Sequence, residues 1–138
     1  MSGVLVDSNI IIDVAKVGSV WFDWSQRALR DATNRFGSAI INQIIYAELA
    51  AGYEDRGELE RLVAEGGYRR EELPWEAGHK AGRCFVDYRR RGGARTSPLP
   101  DFYIGAHAEV CGYHLLTRDA RRYRGYFPTL ELICPPEA

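Results

Sequence analysis

The apolar residues of this chain form short continuous runs separated by longer amphipathic stretches. The short runs cover residues 4–6, 38–41, 113–116 and 130–133. Continuous apolar runs of this length predict strands that are buried on both faces. Such strands, when they alternate with helices, are typical of a parallel sheet with helices packed on both sides. We therefore predict an α/β fold with a short central parallel sheet flanked by helices on both faces.

The stretches between these runs carry apolar residues at three- and four-residue spacing, which predicts helices. Helix-starting and helix-ending residues mark their limits: Asn42 is a candidate N-cap, Pro74 suits a first turn, and Gly112 suits a C-terminal cap. We predict helices over residues 10–16, 19–34, 42–52, 58–64, 74–91 and 101–112, with a loop over residues 92–100.

Length and composition favour one compact domain over residues 1–138. The chain has 138 residues, of which 46% are hydrophobic, enough for one core but short for two. It contains no repeat and no low-complexity tract. The net charge of −1 excludes a strongly basic nucleic-acid-binding protein, so any polyanion must be attracted locally.

The N-terminal residues lack the basic region and apolar segment of a signal peptide, and no stretch reaches membrane-spanning length. We expect a cytoplasmic protein without a membrane partner. The three cysteines, Cys84, Cys111 and Cys134, are far apart and lie in apolar surroundings. We interpret them as free thiols rather than zinc ligands or a disulfide framework.

Four acidic residues occupy positions that suggest a shared crevice. Asp7 follows the first strand, Asp119 follows the strand 113–116, Asp101 begins a helix, and Glu48 interrupts an apolar helical run. In parallel α/β folds, residues after the strands line a crevice at the carboxyl edge of the sheet. Each acid alone is more simply explained as a cap, a turn residue or a surface group. Together they would repel one another unless a hard cation neutralised them, and oxygen-only ligands favour Mg²⁺ or Mn²⁺.

Ordered motifs along the chain resemble the PIN-domain family, and within it the VapC-type toxins of bacterial and archaeal toxin–antitoxin modules. The motifs are Val6-Asp7-Ser8-Asn9, Tyr46-Ala47-Glu48-Leu49, the segment 99–108 beginning Leu99-Pro100-Asp101, and Leu115-Leu116-Thr117-Arg118-Asp119, followed by Tyr123 and Phe127-Pro128. They span almost the whole chain. Residues 54–93 match only loosely.

The resemblance implies a metal-dependent endoribonuclease that hydrolyses RNA phosphodiester bonds and leaves 5′-phosphate and 3′-hydroxyl ends. It implies catalytic metal ligation by Asp7, Glu48, Asp101 and Asp119. The first and third of these would lie closest to a primary Mg²⁺ or Mn²⁺ ion, and the other two would hold a second ion or a water. The resemblance also implies a VapB-like antitoxin as partner and a homodimer.

Polar and basic neighbours complete the predicted site. Asn9 and Thr117 match positions that support the acids and the phosphate in the family. The candidate RNA contacts are arginines in or beside the motifs: Arg89, Arg90, Arg91, Arg95 and Arg118. Stabilisation of a helix C-terminus or simple solvation explains these arginines equally well.

Other functions remain open on the sequence. A solitary RNA-processing nuclease or a non-catalytic PIN-like binding module would carry the same motifs. A phosphotransferase with Asp7 as nucleophile is less favoured, because Asn9 stands where that chemistry usually has a second aspartate. Ser8 lacks a paired histidine, so a serine hydrolase is also disfavoured. We interpret His107, in the apolar helix 101–112, as a packed or hydrogen-bonded core residue rather than a general base.

Overall fold

The structure, a computed structural model, describes residues 3–136. Within this range five parallel strands form one sheet in the order β3-β2-β1-β4-β5. The strands are β1 (Val4–Val6), β2 (Ala39–Ile41), β3 (Arg69–Arg70), β4 (His114–Leu116) and β5 (Leu132–Ile133). The predicted α/β class and parallel sheet are confirmed.

The helices alternate with the strands along most of the chain. They are α1 (Ser8–Val14), α2 (Phe22–Phe36), α3 (Gln43–Ala50), α4 (Arg56–Glu65), α5 (Trp75–Arg90), α6 (Pro100–Cys111) and α7 (Arg121–Arg124). All three residues of β1 and of β2 are buried. Because successive side chains of a strand point to opposite faces, burial of every residue means that both faces of the sheet are covered. No helix within residues 3–136 is long and apolar enough to cross a membrane.

Helix α6, which carries Asp101, is largely buried. Most of its residues between Phe102 and Ala108 are buried, so it lies inside the protein rather than on its surface. Gly105 permits this packing, because a Cβ there would stand 2.4 Å from a ring carbon of Phe127. The helix ends at Gly112 in the left-handed conformation, with φ of 71°, as the sequence predicts.

Two elements were not predicted from the sequence. Strand β3 consists of two exposed arginines at the sheet edge, paired with Ile40 and Ile41. It lacks the apolar run that marks a buried strand, so only its pairing defines it. Helix α7 has four residues, too short for a hydrophobic period to develop. The predicted last strand is also shorter than expected, since it begins at Leu132.

Candidate active site

Asp7 lies at the carboxyl end of β1 and is 1% exposed. Its Oδ1 accepts a hydrogen bond of 2.8 Å from the backbone N–H of Ser8, so the carboxylate caps α1. Its Oδ2 accepts two more bonds, from the Thr117 hydroxyl at 2.9 Å and the Tyr123 hydroxyl at 2.8 Å. A buried carboxylate needs such partners. Three donors therefore fix the orientation of Asp7.

Thr117 connects the first and last motifs of the chain. Strand β1 pairs with β4, with Val6 opposite Leu116, so the residues after both strands meet. The Thr117 hydroxyl donates to Asp7 and accepts from the backbone N–H of Asp119 at 3.1 Å and from Asn9 Nδ2 at 3.4 Å. Asn9 Oδ1 accepts in turn from the backbone N–H of Arg118 at 3.2 Å. Asn9 and Thr117 are thus in contact with each other and join the motifs around Asp7 and Asp119.

Glu48, on α3, turns toward Asp7 rather than toward open solvent. The Ser8 hydroxyl donates to its Oε1 at 3.0 Å. Burial raises the pKa of the Glu48 carboxyl, and the negative charges of Asp7 and Asp101 raise it further, against the hydrogen bond from Ser8. The inward direction of this side chain, which the helical pattern leaves undecided, is therefore a feature of the tertiary structure.

Asp101 lies in the first turn of α6, where the positive end of the helix dipole favours a carboxylate. Burial raises the pKa of its carboxyl, and the charges of Asp7 and Asp119 add to the rise while Arg122 opposes it. Asp119 lies at the rim, with 41% of its side chain exposed.

The structure brings the four predicted acids into one electrostatically coupled group. The negative charges of Asp7 and Asp101 raise the pKa of Glu48, and those of Asp7 and Asp119 raise the pKa of Asp101. They come from four separate parts of the chain, and their donor atoms are all carboxylate oxygens. Uncompensated carboxylates repel one another, and oxygen donors suit hard divalent cations. The chemistry of these donors suits a Mg²⁺ or Mn²⁺ ion, but within residues 3–136 no three of the four acids place oxygens within 4.8 Å of one another, so the side chains would have to close around it.

Two residues of this site were not assigned to it from the sequence. Arg122, on α7, places Nε 2.9 Å from Asp119 Oδ2 and Nη1 3.8 Å from Asp101 Oδ1. The spacing of Asp119 and Arg122 on a helical turn could have indicated their pairing. The contact with Asp101 depends on the packing of α7 against α6.

Tyr123 was noted only as part of a motif, yet it is fully buried beneath the acids. Its hydroxyl donates to Asp7 Oδ2, and its proximity to Asp101 opposes the rise in the pKa of that carboxyl. Burial and the nearby acids raise the pKa of Tyr123 well above its ordinary value. Tyr123 is therefore a neutral hydrogen-bond donor to Asp7 at physiological pH.

Three of the arginines predicted to contact RNA have partners within the protein. Arg118 Nε donates to Asp13 Oδ2 at 2.6 Å, and its guanidinium lies over the ring of Trp21 at 5.4 Å. Arg89 Nη1 donates to the backbone carbonyls of Gly93 and Arg95, where it closes the end of α5. Arg91 pairs with Asp87 and donates to the carbonyl of Gly125.

Arg90 and Arg95 are exposed. Both remain accessible to a polyanion, and contact of any of the five arginines with RNA stays a prediction.

A second group with ligand chemistry lies apart from the four acids. Glu71, His107 and Cys111 each place one ligand atom within 4.8 Å of the others. Asn42 Oδ1 accepts from the backbone N–H of Ile45, so its Nδ2 faces His107 Nδ1 at 2.9 Å and must donate to it. His107 Nε2 then carries the proton, which it donates to Glu71 at 2.9 Å.

This arrangement is a complete hydrogen-bond network. A metal ion on His107 Nε2 would move the ring proton to Nδ1. The Nδ1–H and the Asn42 amide would then be two donors facing each other, and their hydrogen bond would be lost. His107 is fully buried, as the sequence predicts for a core residue. We therefore interpret this group as structural.

The fold and the acidic crevice define an α/β domain with a group of carboxylates at the carboxyl edge of its sheet. The PIN domain family model matches residues 4–127, and the chain belongs to this family. No curated protein matches the sequence significantly.

Several solved structures share the fold. The chain is similar to VapBC2 from Rickettsia felis bound to a promoter DNA fragment, with 15% identity, TM-score 0.72, and coverage of 96% of this chain and 98% of that one. It is similar to DNA-bound VapBC from Salmonella typhimurium, with 21% identity, TM-score 0.69 and coverage of 97% and 98%. It also resembles Mycobacterium tuberculosis VapC20, a sarcin-ricin loop cleaving toxin, with 13% identity, TM-score 0.64 and coverage of 90% and 95%.

Proposed function

We propose that this protein is a divalent-metal-dependent endoribonuclease and the toxin of a VapBC-type toxin–antitoxin module. The observation that carries the proposal is the grouping of the four acids, because Ser8 bonds to both Asp7 and Glu48 and Arg122 contacts both Asp101 and Asp119. Membership of the PIN-domain family and the toxin–antitoxin proteins among the similar structures support it.

In this proposal Asp7 and Asp101 hold a primary Mg²⁺ or Mn²⁺ ion, and Glu48 and Asp119 hold a second ion or a water. When bound, such an ion lowers the pKa of water and stabilises negative charge on phosphate oxygens. The protein contributes orientation. Thr117 and Tyr123 saturate Oδ2 of Asp7, which restricts the carboxylate to one rotamer before a ligand arrives.

The carboxylates suit phosphodiester hydrolysis because they bind cations without themselves attacking phosphorus. The crevice gathers four of the 19 acidic residues of a chain whose net charge is −1. Neutralising them with metal would leave a crevice that attracts phosphate. Exposed Arg90, at the end of α5, and Arg95, in the loop before α6, could then approach the RNA backbone, with phosphate contacts that carry no sequence information.

The proposed partners are a VapB-like antitoxin, a second copy of this chain and a cellular RNA in the cytoplasm. An antitoxin would silence the enzyme by placing a cationic segment against the four acids. VapBC complexes among the similar structures support an antitoxin partner.

The decisive experiment incubates purified protein, freed of any antitoxin, with total RNA and Mg²⁺, and maps the new 5′ ends. Asp7→Asn keeps the shape of the side chain and removes its charge, and it should abolish cleavage. Asp87→Asn removes a half-exposed acid paired with Arg91 and should leave cleavage unchanged. Equal activity of the wild type and Asp7→Asn would show that a contaminant cuts the RNA. Absence of both cleavage and Mn²⁺ binding would instead favour a non-catalytic binding module.

A further inference from the structure

Arg122 lies against two of the four acids proposed to hold a metal ion. Its guanidinium contacts Oδ2 of Asp119 and lies near Oδ1 of Asp101. Its positive charge also acts on Asp7 and Glu48. One side chain of the protein therefore partly neutralises all four acids of the crevice.

The contacts of the Arg122 side chain are weak enough for it to move away from the acids. Half of it, 49%, is exposed, and the contact with Asp101 at 3.8 Å is longer than a direct hydrogen bond. It projects from α7, a helix of four residues. A long flexible side chain on such an element can rotate into solvent at small cost.

We propose that Arg122 is the resident counter-cation of the acidic crevice and that a divalent metal ion must displace its guanidinium in order to bind. This inference rests on the metal site of the proposed function. The guanidinium contacts Asp101, which would hold the primary ion, and Asp119, which would hold a second ion or a water. A divalent ion on those carboxylates would also repel a guanidinium a few ångströms away, and this repulsion is strong where water is partly excluded.

The strength of the Arg122 ion pairs determines how much their removal should change the affinity for metal. Partly exposed ion pairs of this kind are weak, so removing them should tighten metal binding by about three- to tenfold. Arg121 provides a matched control, because it lies on the same helix, is exposed, and forms no ion pair with any residue of the range 3–136. Replacing it removes the same charge without touching the acids.

The test is calorimetric titration of the metal-free protein with Mn²⁺ alone, at about 0.15 M salt, where distant charges are screened within about 8 Å. Arg122→Ala should bind Mn²⁺ about three- to tenfold more tightly than the wild type, and Arg121→Ala should bind within about twofold of it. Arg122→Lys keeps the charge but loses the planar fork, and should fall between wild type and Arg122→Ala.

A second measurement, thermal unfolding in EDTA, tests whether Arg122 stabilises the metal-free protein. Arg122→Ala should melt below the wild type because its acids lose their counter-charge, and Mn²⁺ should raise its melting temperature by more than it raises that of the wild type. Arg122→Gln, which retains most of the side-chain volume, repeats both measurements if the alanine variant folds poorly.

The outcomes separate this inference from the proposed function. If wild type binds Mn²⁺ and Arg122→Ala binds it equally or more weakly, the displacement model is wrong while the metal site stands. If no variant binds Mn²⁺, the metal site itself is wrong and the inference falls with it. If only Arg122→Ala binds measurably, the arginine blocks the site more strongly than proposed and the displacement model holds.

Discussion

The hydroxyl of Tyr123 donates a 2.8 Å hydrogen bond to Oδ2 of Asp7, across a sequence separation of 116 residues. Tyr123 is fully buried and Asp7 almost so. This bond joins the first strand of the sheet to α7 at the floor of the acidic crevice, and it makes the position of Asp7 depend on the C-terminal part of the chain.

Tyr123→Phe should therefore impair both stability and metal binding. Removing the hydroxyl leaves Asp7 Oδ2 with one donor instead of two, which should cost about 1–2 kcal/mol in the free energy of unfolding. Urea denaturation measures this loss, and titration with Mn²⁺ measures the effect on the site. Tyr68→Phe, in a second buried tyrosine outside the crevice, is the control. Equal effects of the two variants on Mn²⁺ affinity would argue against a positioning role for Tyr123.

The raised pKa of Glu48 predicts how stability changes with pH in the absence of metal. A carboxyl whose folded pKa lies above its unfolded value binds more protons in the folded state, so its ionisation destabilises the fold as the pH rises. Glu48→Gln should therefore raise the urea midpoint at pH 7 in EDTA. The gain should shrink as the pH falls toward the ordinary value of 4.5. A gain that grows on acidification would contradict the assigned direction of the pKa shift.

Arg118→Ala should destabilise the protein rather than only weaken RNA binding. Arg118 bonds to Asp13, which is 3% exposed and also accepts from the Ser25 hydroxyl at 2.7 Å. Removing the arginine leaves a buried carboxylate without its counter-charge, at a cost of about 1–3 kcal/mol, reduced from that of a fully buried pair because Arg118 is partly exposed. Exposed Arg90→Ala should change unfolding by less than about 0.5 kcal/mol. Similar unfolding curves for the two variants would show that the Asp13 contact contributes little.

Gly105→Ala should destabilise the helix that carries Asp101. Its Cβ would meet the ring of Phe127 at 2.4 Å, and Phe127 is itself buried. Overpacking of this kind costs about 1–3 kcal/mol. Gly78→Ala, in α5 with open space around the new Cβ, should be neutral or stabilising by up to about 1 kcal/mol. Adding Phe127→Leu to Gly105→Ala should recover part of the loss.

His107→Leu should disrupt the network around Glu71 and lower the free energy of unfolding by about 2–4 kcal/mol, because Asn42 and Glu71 would lose a buried partner.

The interpretation of Glu71, His107 and Cys111 as a structural group also predicts how the protein responds to zinc. Any change that Zn²⁺ causes in the melting temperature should be the same for the wild type and for Cys111→Ser. A zinc response that depends on Cys111 would show that Glu71, His107 and Cys111 form a metal site after all.

The sequence by itself determined the central architecture of this protein. Short apolar runs such as Val4–Val6 require burial on both faces, and a parallel sheet with helices on either side satisfies that requirement for all of them at once. The placement of Asp7 and Asp119 after strands follows from the same pattern, because parallel strands end at one edge. Local chemistry also fixed Asn42 and Gly112 at helix ends.

Only the tertiary structure decided which polar groups meet. A helical pattern cannot say whether Glu48 faces the crevice or solvent, and nothing local connects Arg122 to Asp101 or Tyr123 to Asp7. Hydrophobic periodicity records which side of an element is buried, whereas hydrogen bonds and ion pairs depend on distances between elements far apart in the chain. Strand β3 and helix α7 were missed for the related reason that each is defined by its neighbours rather than by its own residues.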